Sequence, residues 1–494
     1  MPHTFLPVVT ALLCASSVHA QSCSEYQAIP SFGGEINIVD VSADGQVVVG
    51  TAFPPSGTPP GTSIEAFRWT ATTGVQLLGT LPGEPISLAT AVSADGSTIV
   101  GYSGPGGGIF GNRAFRWTST GGMQDLGTLS TFAPETRATA VSGDGSVIVG
   151  ISFNGQSNAA FHWTAATGMR QLASFPNGSS IATAVSADGA TVLLNSGSQG
   201  GPGVPVASPG WRWTAATGLV PLGLYDLVGL SSGGDVIIGT RGSGGNGRDS
   251  YRWTSATGWV LLPRPPTTDG TFPKDISLDG RVVVGNSFRE ILSFPSTFVY
   301  TPVRWTVEEG MTELGFAAGP GPNAWLTGVS GDGTFLVGND MSSPDGFRVR
   351  VSSLGESYCR PAVANSGSCA GVLLVAGDPV AATGALQLTA ELLPLHTAGF
   401  FLASRAQALV SGPAGSQGNL CLGGAVGRFV GPGQVMHSGS SGTFSLSVDL
   451  AQLPTPSGSV SAQPGETWNF QAWYRDANPG PTSNFTDAVS VVMQ

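Results

Sequence analysis

The segment AVSADGSTIVG at residues 91–101 decides how the chain can fold, because it recurs along the first two thirds of the sequence. Its two nearest copies are AVSGDGSVIVG (140–150) and AVSADGATVLL (184–194). Its more distant copies are DVSADGQVVVG (40–50), GLSSGGDVIIG (229–239), DISLDGRVVVG (275–285) and GVSGDGTFLVG (328–338). In each copy a β-branched run follows a glycine that can supply the positive φ of a tight hairpin turn. The repeats therefore predict seven pairs of short antiparallel strands.

A second segment follows the first in register and contains an aromatic-Arg-Trp-Thr core in most copies. Its copies are AFRWTATTGVQLLG (66–79), AFRWTSTGGMQDLG (114–127), AFHWTAATGMRQLA (160–173), GWRWTAATGLVPLG (210–223), SYRWTSATGWVLLP (250–263) and PVRWTVEEGMTELG (302–315). The alternation of Phe67 and Trp69 with Arg68 is typical of a strand, and the glycine that follows marks another turn. Four strands in roughly 40 to 50 residues is the period of a β-propeller blade.

The seventh unit is incomplete in a way that predicts a ring. Its third strand is Phe347-Arg348-Val349-Arg350, and no fourth-strand segment follows before Cys359. Residues 26–32 (YQAIPSF) resemble the fourth-strand segment MRQLASF at 169–175. We therefore predict an all-β chain in which a seven-bladed β-propeller over residues 21–354 is closed by strand 25–32 beside strand 346–352. A solenoid of the same units is the alternative, and it would need a cap at each end.

Composition narrows the function. The chain has 494 residues, 20 basic and 31 acidic side chains and a formal net charge of −11, with Lys274 as its single lysine. Nucleic-acid backbones require clustered basic residues, so a nucleic-acid partner is not expected.

Residues 1–20 end in Val-His-Ala after an apolar run and predict a signal peptide; a lipoprotein site at Cys23 is a weaker alternative. No later run is apolar enough to span a membrane. We expect a secreted or cell-surface monomer.

The cysteines and histidines bear on disulfides and metals. Cys23, Cys359, Cys369 and Cys421 remain after the predicted leader, and an even number in an exported chain favours two disulfides with three possible connectivities. Metal binding is a weak alternative, because there is no CxxC pair and the histidines beyond the leader are scattered, at 162, 396 and 437. No metal and no cofactor are expected.

The alternating AFRWT…GM..LG and SADG..VVG segments over residues 26–351 resemble the HAF-type extracellular repeat of exported bacterial proteins. That resemblance implies export and a propeller-like fold, without a settled activity. Residues 355–494 are similar to a C-terminal β domain on exported proteins of planctomycetes and some other marine bacteria. The matching stretches are Tyr358-Cys359, GFFLASRAQALV (399–410), GSQGNLCLGGAVGRFVGPGQV (415–435) and GETWNFQAWYRDANPGPTSNFTDAVSV (465–491). Because Cys359 and Cys421 lie in matching stretches, the resemblance favours their pairing, which leaves Cys23 for Cys369. A local Cys359–Cys369 loop is the alternative.

On its own pattern the C-terminal region predicts a β-sandwich. Its strands are predicted at 371–377, 384–393, 399–405, 441–449, 466–475 and 485–493, separated by Gly, Pro and Ser turns. In the fifth strand Trp468, Phe470, Ala472 and Tyr474 share one face.

Most of the repeated polar and aromatic residues have structural interpretations. Aspartate beside glycine is turn chemistry, and one carboxylate per turn is too few for calcium; this applies to Asp residues 44, 95, 144, 188, 279 and 332. The tryptophans at 69, 117, 163, 213, 253 and 305 are expected between blades and not as sugar platforms. The arginines at 68, 116, 212, 252, 304 and 348 could bind anions as a ring, but solvated or turn-bonded side chains are favoured. No GxSxG, HExxH, P-loop or GxGxxG-plus-acid motif occurs in a suitable context, so no catalytic residue is predicted.

The repeats differ from one another most in the connections between their second and third strands. They are longest at residues 51–65, 102–113, 195–209, 240–249 and 286–301, and in a propeller they share one face with the blade-to-blade links. We therefore expect a non-catalytic binding or scaffolding protein that uses this long-loop face for an extracellular glycan or surface protein, with a tail for attachment or sorting. The alternative is a glycosidase or lyase acting on extracellular polysaccharide, which would draw on the loop carboxylates Glu65, Glu84, Glu135, Asp249 and Glu290.

Overall fold

A computed structural model defines the structure of the chain. It describes residues 26–31, 34–55, 57, 63–105, 111–130, 135–154, 157–172, 179–196, 210–223, 226–243, 247–266, 268–291, 297–307, 310–314, 324–351, 354–359, 362–367, 369–377, 379–381, 384–477 and 480–494. The predicted signal peptide and Cys23 lie outside these residues.

The repeat region contains seven four-stranded antiparallel sheets. The short strand β1 (Tyr26–Ile29) precedes them. Sheet 1 is formed by β2 (Glu35–Val41), β3 (Val48–Phe53), β4 (Glu65–Thr70) and β5 (Gly74–Leu77). Sheet 2 is formed by β6 (Ile86–Val92), β7 (Thr98–Gly104), β8 (Arg113–Thr118) and β9 (Gly122–Asp125). Sheet 3 is formed by β10 (Thr136–Val141), β11 (Val147–Phe153), β12 (Asn158–Thr164) and β13 (Gly168–Gln171).

The next three sheets repeat this order. Sheet 4 is formed by β14 (Ser180–Val185), β15 (Thr191–Ser196), β16 (Gly210–Thr214) and β17 (Gly218–Gly223). Sheet 5 is formed by β18 (Asp226–Leu230), β19 (Val236–Ser243), β20 (Gly247–Thr254) and β21 (Gly258–Leu261). Sheet 6 is formed by β22 (Gly270–Ile276), β23 (Val282–Ile291), β24 (Thr297–Thr306) and β25 (Gly310–Glu313).

Sheet 7 draws its strands from both ends of the repeat region. It is formed by β26 (Ala324–Val329), β27 (Phe335–Asp340), β28 (Gly346–Arg350) and β1, which lies antiparallel to β28. The register pairs Tyr26 with Val349 and Ile29 with Gly346. The outer strand of sheet 7 is therefore supplied by residues more than 300 positions earlier in the chain.

Backbone hydrogen bonds join the Ser-x-Asp-Gly turn of each sheet to the turn of the next. Six of these bonds run from Ala43 to Ala94, Asp95 to Gly143, Gly143 to Ala187, Ala187 to Ser232, Ser232 to Leu278 and Leu278 to Gly331. The Gly331 N–H then donates to the carbonyl of Ala43, at 2.9 Å. A Cβ on Gly331 would lie 2.7 Å from Leu278 and 2.9 Å from Ala43, so these two turns would have to shift to admit a side chain at position 331.

The first strands of the sheets, here called the inner strands, contact the first strands of both neighbouring sheets. Apolar side chains fill the spaces between sheets. Each of seven buried clusters combines residues of two neighbouring sheets; one, for example, contains Val49 of sheet 1 with Ile99 and Phe115 of sheet 2. Another combines Ile29 and Val337 of sheet 7 with Ile36 and Ile38 of sheet 1.

A further sheet domain follows. Its strands are β29 (Glu356–Tyr358), β30 (Val372–Gly377), β31 (Ala385–Glu391), β32 (Ala398–Ser404), β33 (Ala406–Ser411), β34 (Asn419–Gly423), β35 (Gly427–Arg428), β36 (Met436–His437), β37 (Phe444–Asp449), β38 (Leu453–Thr455), β39 (Gly458–Val460), β40 (Thr467–Asp476) and β41 (Thr482–Val492). A single 3₁₀ turn spans Pro413–Gly415. One six-stranded sheet has β41, β40 and β32 at its centre, and a three-stranded sheet has the order β30-β31-β37.

The two larger sheets of this domain share one core. Trp468, Phe470, Ala472 and Tyr474 are buried there together with Leu373, Leu388 and Val448, as the alternation in the sequence predicts. All six strands predicted for residues 371–493 are present, with ends shifted by a few residues. Leu354 also packs into this core, and its N–H donates to Val375, so the chain joins the second domain just after sheet 7. The predicted boundary between residues 354 and 355 stays a prediction.

One disulfide joins Cys359 to Cys421, across 62 residues, with the two Cα atoms 6.3 Å apart. The favoured pairing of these two residues is confirmed, and the alternative Cys359–Cys369 loop is wrong. Cys421 lies in β34, next to buried Gln471 of β40, whereas Cys369 lies in the segment before β30. The predicted Cys23–Cys369 bond involves a residue outside the described part of the chain.

Candidate functional site

The aspartates of the Ser-x-Asp-Gly turns are held by the turns themselves. In sheet 3, Ser142 Oγ and the Ser146 N–H both donate to Asp144 Oδ1, at 2.8 and 2.9 Å. Ser142 Oγ also accepts the Val147 N–H at 2.9 Å. The N–H and hydroxyl of Ser146, and then the hydroxyl of Ser142, lower the pKa of Asp144 to about 2. The hydrogen bonds that this carboxylate accepts therefore come from residues of its own turn.

The repeated tryptophans and arginines also have structural partners. Trp69 and Trp305 are buried, and the other four repeat tryptophans pack partly buried against the clusters between sheets. Arg348 of sheet 7 lies over the ring of Trp69 in sheet 1, at 5.0 Å, and donates to the carbonyl of Gly45. Arg252 is bonded to the Gly280 carbonyl in the same way. These two arginines are thus turn-bonded, one of the two arrangements that the sequence favoured.

Sheet 6 departs most clearly from its neighbours. Residues 286–301, expected to be a long loop, are in fact mostly strand, since β23 continues to Ile291 and β24 starts at Thr297. The reason is the strand-forming aromatic residues Phe288, Phe298 and Tyr300, which extend the hairpin with Phe288 paired to Tyr300 and Glu290 paired to Phe298. Residues 240–249 are likewise partly strand in β19 and β20. Residues 197–209 of the connection at 195–209 lie outside the described residues.

Aromatic rings cover the face of this extended hairpin that is turned towards sheet 7. We call them the aromatic wall: Phe272, Phe288, Phe298, Tyr300 and Trp325. Tyr300 and Trp325 meet edge-to-face at 5.1 Å between centroids, and Phe272 lies 6.3 Å from Trp325. Phe288 is buried, whereas Phe272, Tyr300 and Trp325 are only partly buried. The wall therefore offers ring surface to solvent at the end of the strands away from the Ser-x-Asp-Gly turns.

Two cations stand beside the wall. Lys274 Nζ lies 4.9 Å from the centroid of Trp325, and Arg248 Cζ lies 5.9 Å from that of Phe272. Lys274 has no hydrogen bond or ion pair with any of the described residues. Burial, and then the charge of Arg248, lower the pKa of Lys274. Among the described residues Arg248 has one ionic neighbour, Asp226 at 3.7 Å, and since both side chains are about half exposed this pair is weak.

Asp40 and Asp275, here called the inner carboxyl pair, lie on inner strands β2 and β22. Asp40 accepts the Val41 N–H at 2.7 Å and the Val92 N–H of sheet 2 at 2.9 Å. Asp275 accepts the Ile276 N–H at 2.8 Å and the Val329 N–H of sheet 7 at 2.9 Å. A Cβ built on Gly328, between them, would lie 3.6 Å from both Asp275 Oδ2 and Asp40 Cα. Each carboxylate thus ties its sheet to the next.

The pair has unusual proton affinity. Burial raises the pKa of Asp40 to about 6, against the opposing effect of the Val92 and Val41 N–H groups. Burial, and then the negative charge of Asp40, raise the pKa of Asp275 to about 7. Both residues keep partial solvent exposure. Their protonation therefore changes at a higher pH than that of ordinary aspartates.

Sequence reasoning overlooked this pair, although a signal was present. In the aligned repeats the position of Asp40 and Asp275 is Ala91, Ala140, Ala184, Gly229 and Gly328 in the other five sheets. A β-bulge lies at this position in every sheet, which can bring adjacent residues to the same side of a strand. A charged residue at a small-residue position was the available clue.

The loop carboxylates named from the sequence are dispersed. Glu84 neighbours Arg113 at 3.8 Å, and Asp249 neighbours Arg264 at 3.6 Å. Glu135 is buried, accepts the Asn112 N–H at 3.0 Å and pairs with Arg137 at 2.7 Å. Glu65 and Glu290 lie in sheets 1 and 6. These contacts assign no acid/base pair to the five.

A small polar cavity of about 80 Å³ lies on the other face of the sheet 6 hairpin. It is lined by Thr268, Ser287, Arg289, Val299, Thr301 and Glu313. Within the described residues no group of three or more His, Cys, Asp and Glu side chains is placed to hold a metal ion. No helix of the described ranges has the length and apolarity needed to cross a bilayer.

No protein-family model and no curated protein matches the chain. Among solved structures it is similar to TolB from Acinetobacter baumannii, with 14% identity, a TM-score of 0.37 and coverage of 63% of this chain and 65% of that one. The chain thus spans less than two thirds of that structure. It is also similar to oligogalacturonate lyase from Vibrio parahaemolyticus, with 10% identity, a TM-score of 0.46 and coverage of 66% and 96%. The Dos1 propeller has 12% identity to the chain and a TM-score of 0.41, and the match covers 66% of this chain and 95% of that one. Similarity at this level identifies no activity.

Proposed function

We propose that the chain is an exported, non-catalytic binding or scaffolding protein of the HAF-repeat type. Its seven sheets form a seven-bladed propeller closed by β1, followed by a β-sandwich. The long-loop face of the propeller is the recognition surface, and residues 355–494 serve attachment or sorting. The closed ring is supported by the Gly331–Ala43 hydrogen bond and by the cluster that Ile29 and Val337 share with Ile36.

The observation that carries the binding function is where the non-repeated residues gather. Repeat-wide Asp, Trp and Arg side chains are occupied in turns and between sheets, as at Asp144, Trp69 and Arg348. The aromatic wall, the single lysine and Arg248 instead lie together, at the end of the inner strands away from the Ser-x-Asp-Gly turns. Partly exposed rings with a few polar groups are typical of binding sites.

A glycan array combined with a polysaccharide-hydrolysis screen tests the binding function. We expect saturable binding without release of reducing ends, and loss of that binding in the Trp325→Leu variant, which carries the kind of residue found at Leu88 in sheet 2. Turnover that disappears with a single carboxylate substitution would contradict the proposal.

The inner carboxyl pair favours one alternative function, a polysaccharide-acting enzyme. A carboxyl group whose pKa is raised towards neutrality is suited to general acid catalysis. Against this, both oxygens of Asp40 and of Asp275 accept backbone N–H groups that bind neighbouring sheets together. Asp275→Ala and Asp40→Ala variants, tested in the same hydrolysis screen, separate the alternatives, because the enzyme would lose all turnover.

The attachment function of the tail is supported by an exposed hairpin. Every residue of β33 is exposed, and Leu409 at its centre has 69% of its surface accessible. Among the strands that the structure describes, β33 pairs with β34 alone. Deleting residues 355–494 should release the protein from the cell surface into the medium, as measured by cell fractionation. Unchanged retention at the surface would contradict the attachment function.

A further inference from the structure

We propose that the aromatic wall with Lys274 and Arg248 binds an acidic oligosaccharide, through a ring that stacks on Trp325 and Phe272 and a carboxylate or sulfate that meets the two cations. This inference rests on the proposed binding function and adds the class of ligand.

The first argument is geometric. Phe272 and Trp325 occupy the same position in the repeats of sheets 6 and 7, four residues before the Val or Ile of the Ser-x-Asp-Gly segment. Their centroids lie 6.3 Å apart, and Tyr300 supports Trp325 from the side at 5.1 Å. These three rings are partly exposed around the buried Phe288. A set of rings fixed on strands and not on loops is a rigid platform of the kind that binding sites require.

The second argument is charge. The protein carries a net charge of −11 and one lysine, and that lysine lies against the wall. Lys274 has no ionic partner among the described residues. Lys274 lies over Trp325 and Arg248 over Phe272, whose centroids are 6.3 Å apart, so the two like charges flank one pair of rings and repel each other. An anionic group bound between them would relieve that repulsion and form charge-assisted hydrogen bonds.

The third argument is access. At the opposite end of the inner strands the Ser-x-Asp-Gly turns are linked by hydrogen bonds, and a Cβ on Gly331 would already touch Leu278 and Ala43. A ligand therefore approaches from the long-loop face. Phe272 lies about 10 Å along β22 from Asp275. An acidic sugar on the wall would thus avoid direct contact with the inner carboxyl pair, which would otherwise repel it.

Calorimetric titration of the full chain tests the ligand class with three probes. They are a hexameric oligouronide, the same hexamer reduced to its neutral sugar, and a sulfated neutral hexamer. We expect the uronide or the sulfated hexamer to bind at least about tenfold more tightly than the neutral one, and added salt to weaken that binding. Binding by one anionic probe and not by the other would identify the anionic group.

Matched variants locate the site. Lys274→Thr introduces the residue that sheets 2, 3, 4 and 7 carry at the equivalent position, at Thr90, Thr139, Thr183 and Thr327. It should weaken the anionic probe about tenfold. Arg170→Gln removes an exposed positive charge from β13 and should change affinity less than twofold. The probe comparison on the unaltered protein decides the question even if a variant fails to fold.

Equal binding of neutral and acidic hexamers, or an unaffected Lys274→Thr variant, would overturn the acidic ligand class. If the Trp325→Leu variant then lost the binding of any sugar, the proposed binding face would be supported, but without a preference for acidic ligands. No binding of any of the three probes would overturn this inference, and the glycan array would decide separately on the proposed function.

Discussion

At the scale of single residues, the inner carboxyl pair predicts how stability responds to pH. The pKa values of Asp40 and Asp275 are raised in the folded protein, so the folded state holds protons that the unfolded state has released. The resulting stability is fully present below about pH 4 and is lost as the pH rises towards about 7. Because these side chains keep water contact, we expect a loss of only about 1–2 kcal/mol.

Urea unfolding at pH 5 and pH 8 measures this effect in the wild type and in Asp275→Ala, which introduces the residue that sheets 2, 3 and 4 carry. Burial lowers the pKa of His162, which acts in the opposite direction around pH 6.5. The difference between the two proteins cancels that contribution. A difference that does not change between pH 5 and pH 8 would contradict the predicted titration.

A second residue-scale prediction concerns the glycine of the Ser-x-Asp-Gly turn. Gly96 has a φ of +70°, and a Cβ there would lie 2.7 Å from Val47 of sheet 1. Gly96→Ala should therefore reduce the free energy of unfolding by about 2–4 kcal/mol. Gly122 has a φ of +62° with nothing near its Cβ position, so Gly122→Ala should lose only about 1–2 kcal/mol. Equal losses in chemical denaturation would show that the contact between sheets is unimportant.

At the scale of elements, β1 should control the stability of the whole repeat region. Ile29 is fully buried in the cluster shared by sheets 7 and 1. Ile29→Ala should cost about 2–4 kcal/mol, whereas Ala28→Ser on the exposed side of the same strand should cost little. Removing residues 21–33 should destabilise the repeat region cooperatively or cause it to aggregate. Thermal melting of the truncated protein measures this effect. A truncated protein that melts like the full chain would refute the closed ring.

The disulfide gives a second prediction at this scale. Closing a loop of 62 residues restricts the unfolded chain and should stabilise the C-terminal domain by about 4 kcal/mol. Replacing Cys359 and Cys421 with serine should lower the melting temperature of that domain and leave the repeat region unchanged in calorimetry. A single transition that shifts as a whole would instead show that the two domains unfold together.

Elements also show what the sequence could and could not predict. Local repeats predicted the turns and most strands, and the resemblance of residues 26–32 to 169–175 predicted that β1 lies beside β28. The length of β23 and β24 was not predicted, because residues without the repeat pattern were assigned to a loop. The inner carboxyl pair was missed because its environment depends on three sheets meeting at Gly328.

At the scale of the whole molecule, we predict a monomer. Free sheet edges promote association, but the outer strands β5, β9, β13, β21 and β25 have only four residues each. Light scattering coupled to size-exclusion chromatography should give a mass near that of one chain at micromolar concentrations. A stable dimer would show that another surface, such as the exposed hairpin of β33, is paired in solution.

The pairing of β1 with β28 also means that β1 is synthesised long before its partner strand. The first strand leaves the ribosome before any of its partners, and β28 follows more than 300 residues later. At ordinary elongation rates this interval is roughly 15 to 65 s. During that time β1 has no strand to pair with, and its backbone N–H and C=O groups towards β28 stay unpaired. We therefore expect a chaperone to bind the nascent chain until its last repeat emerges.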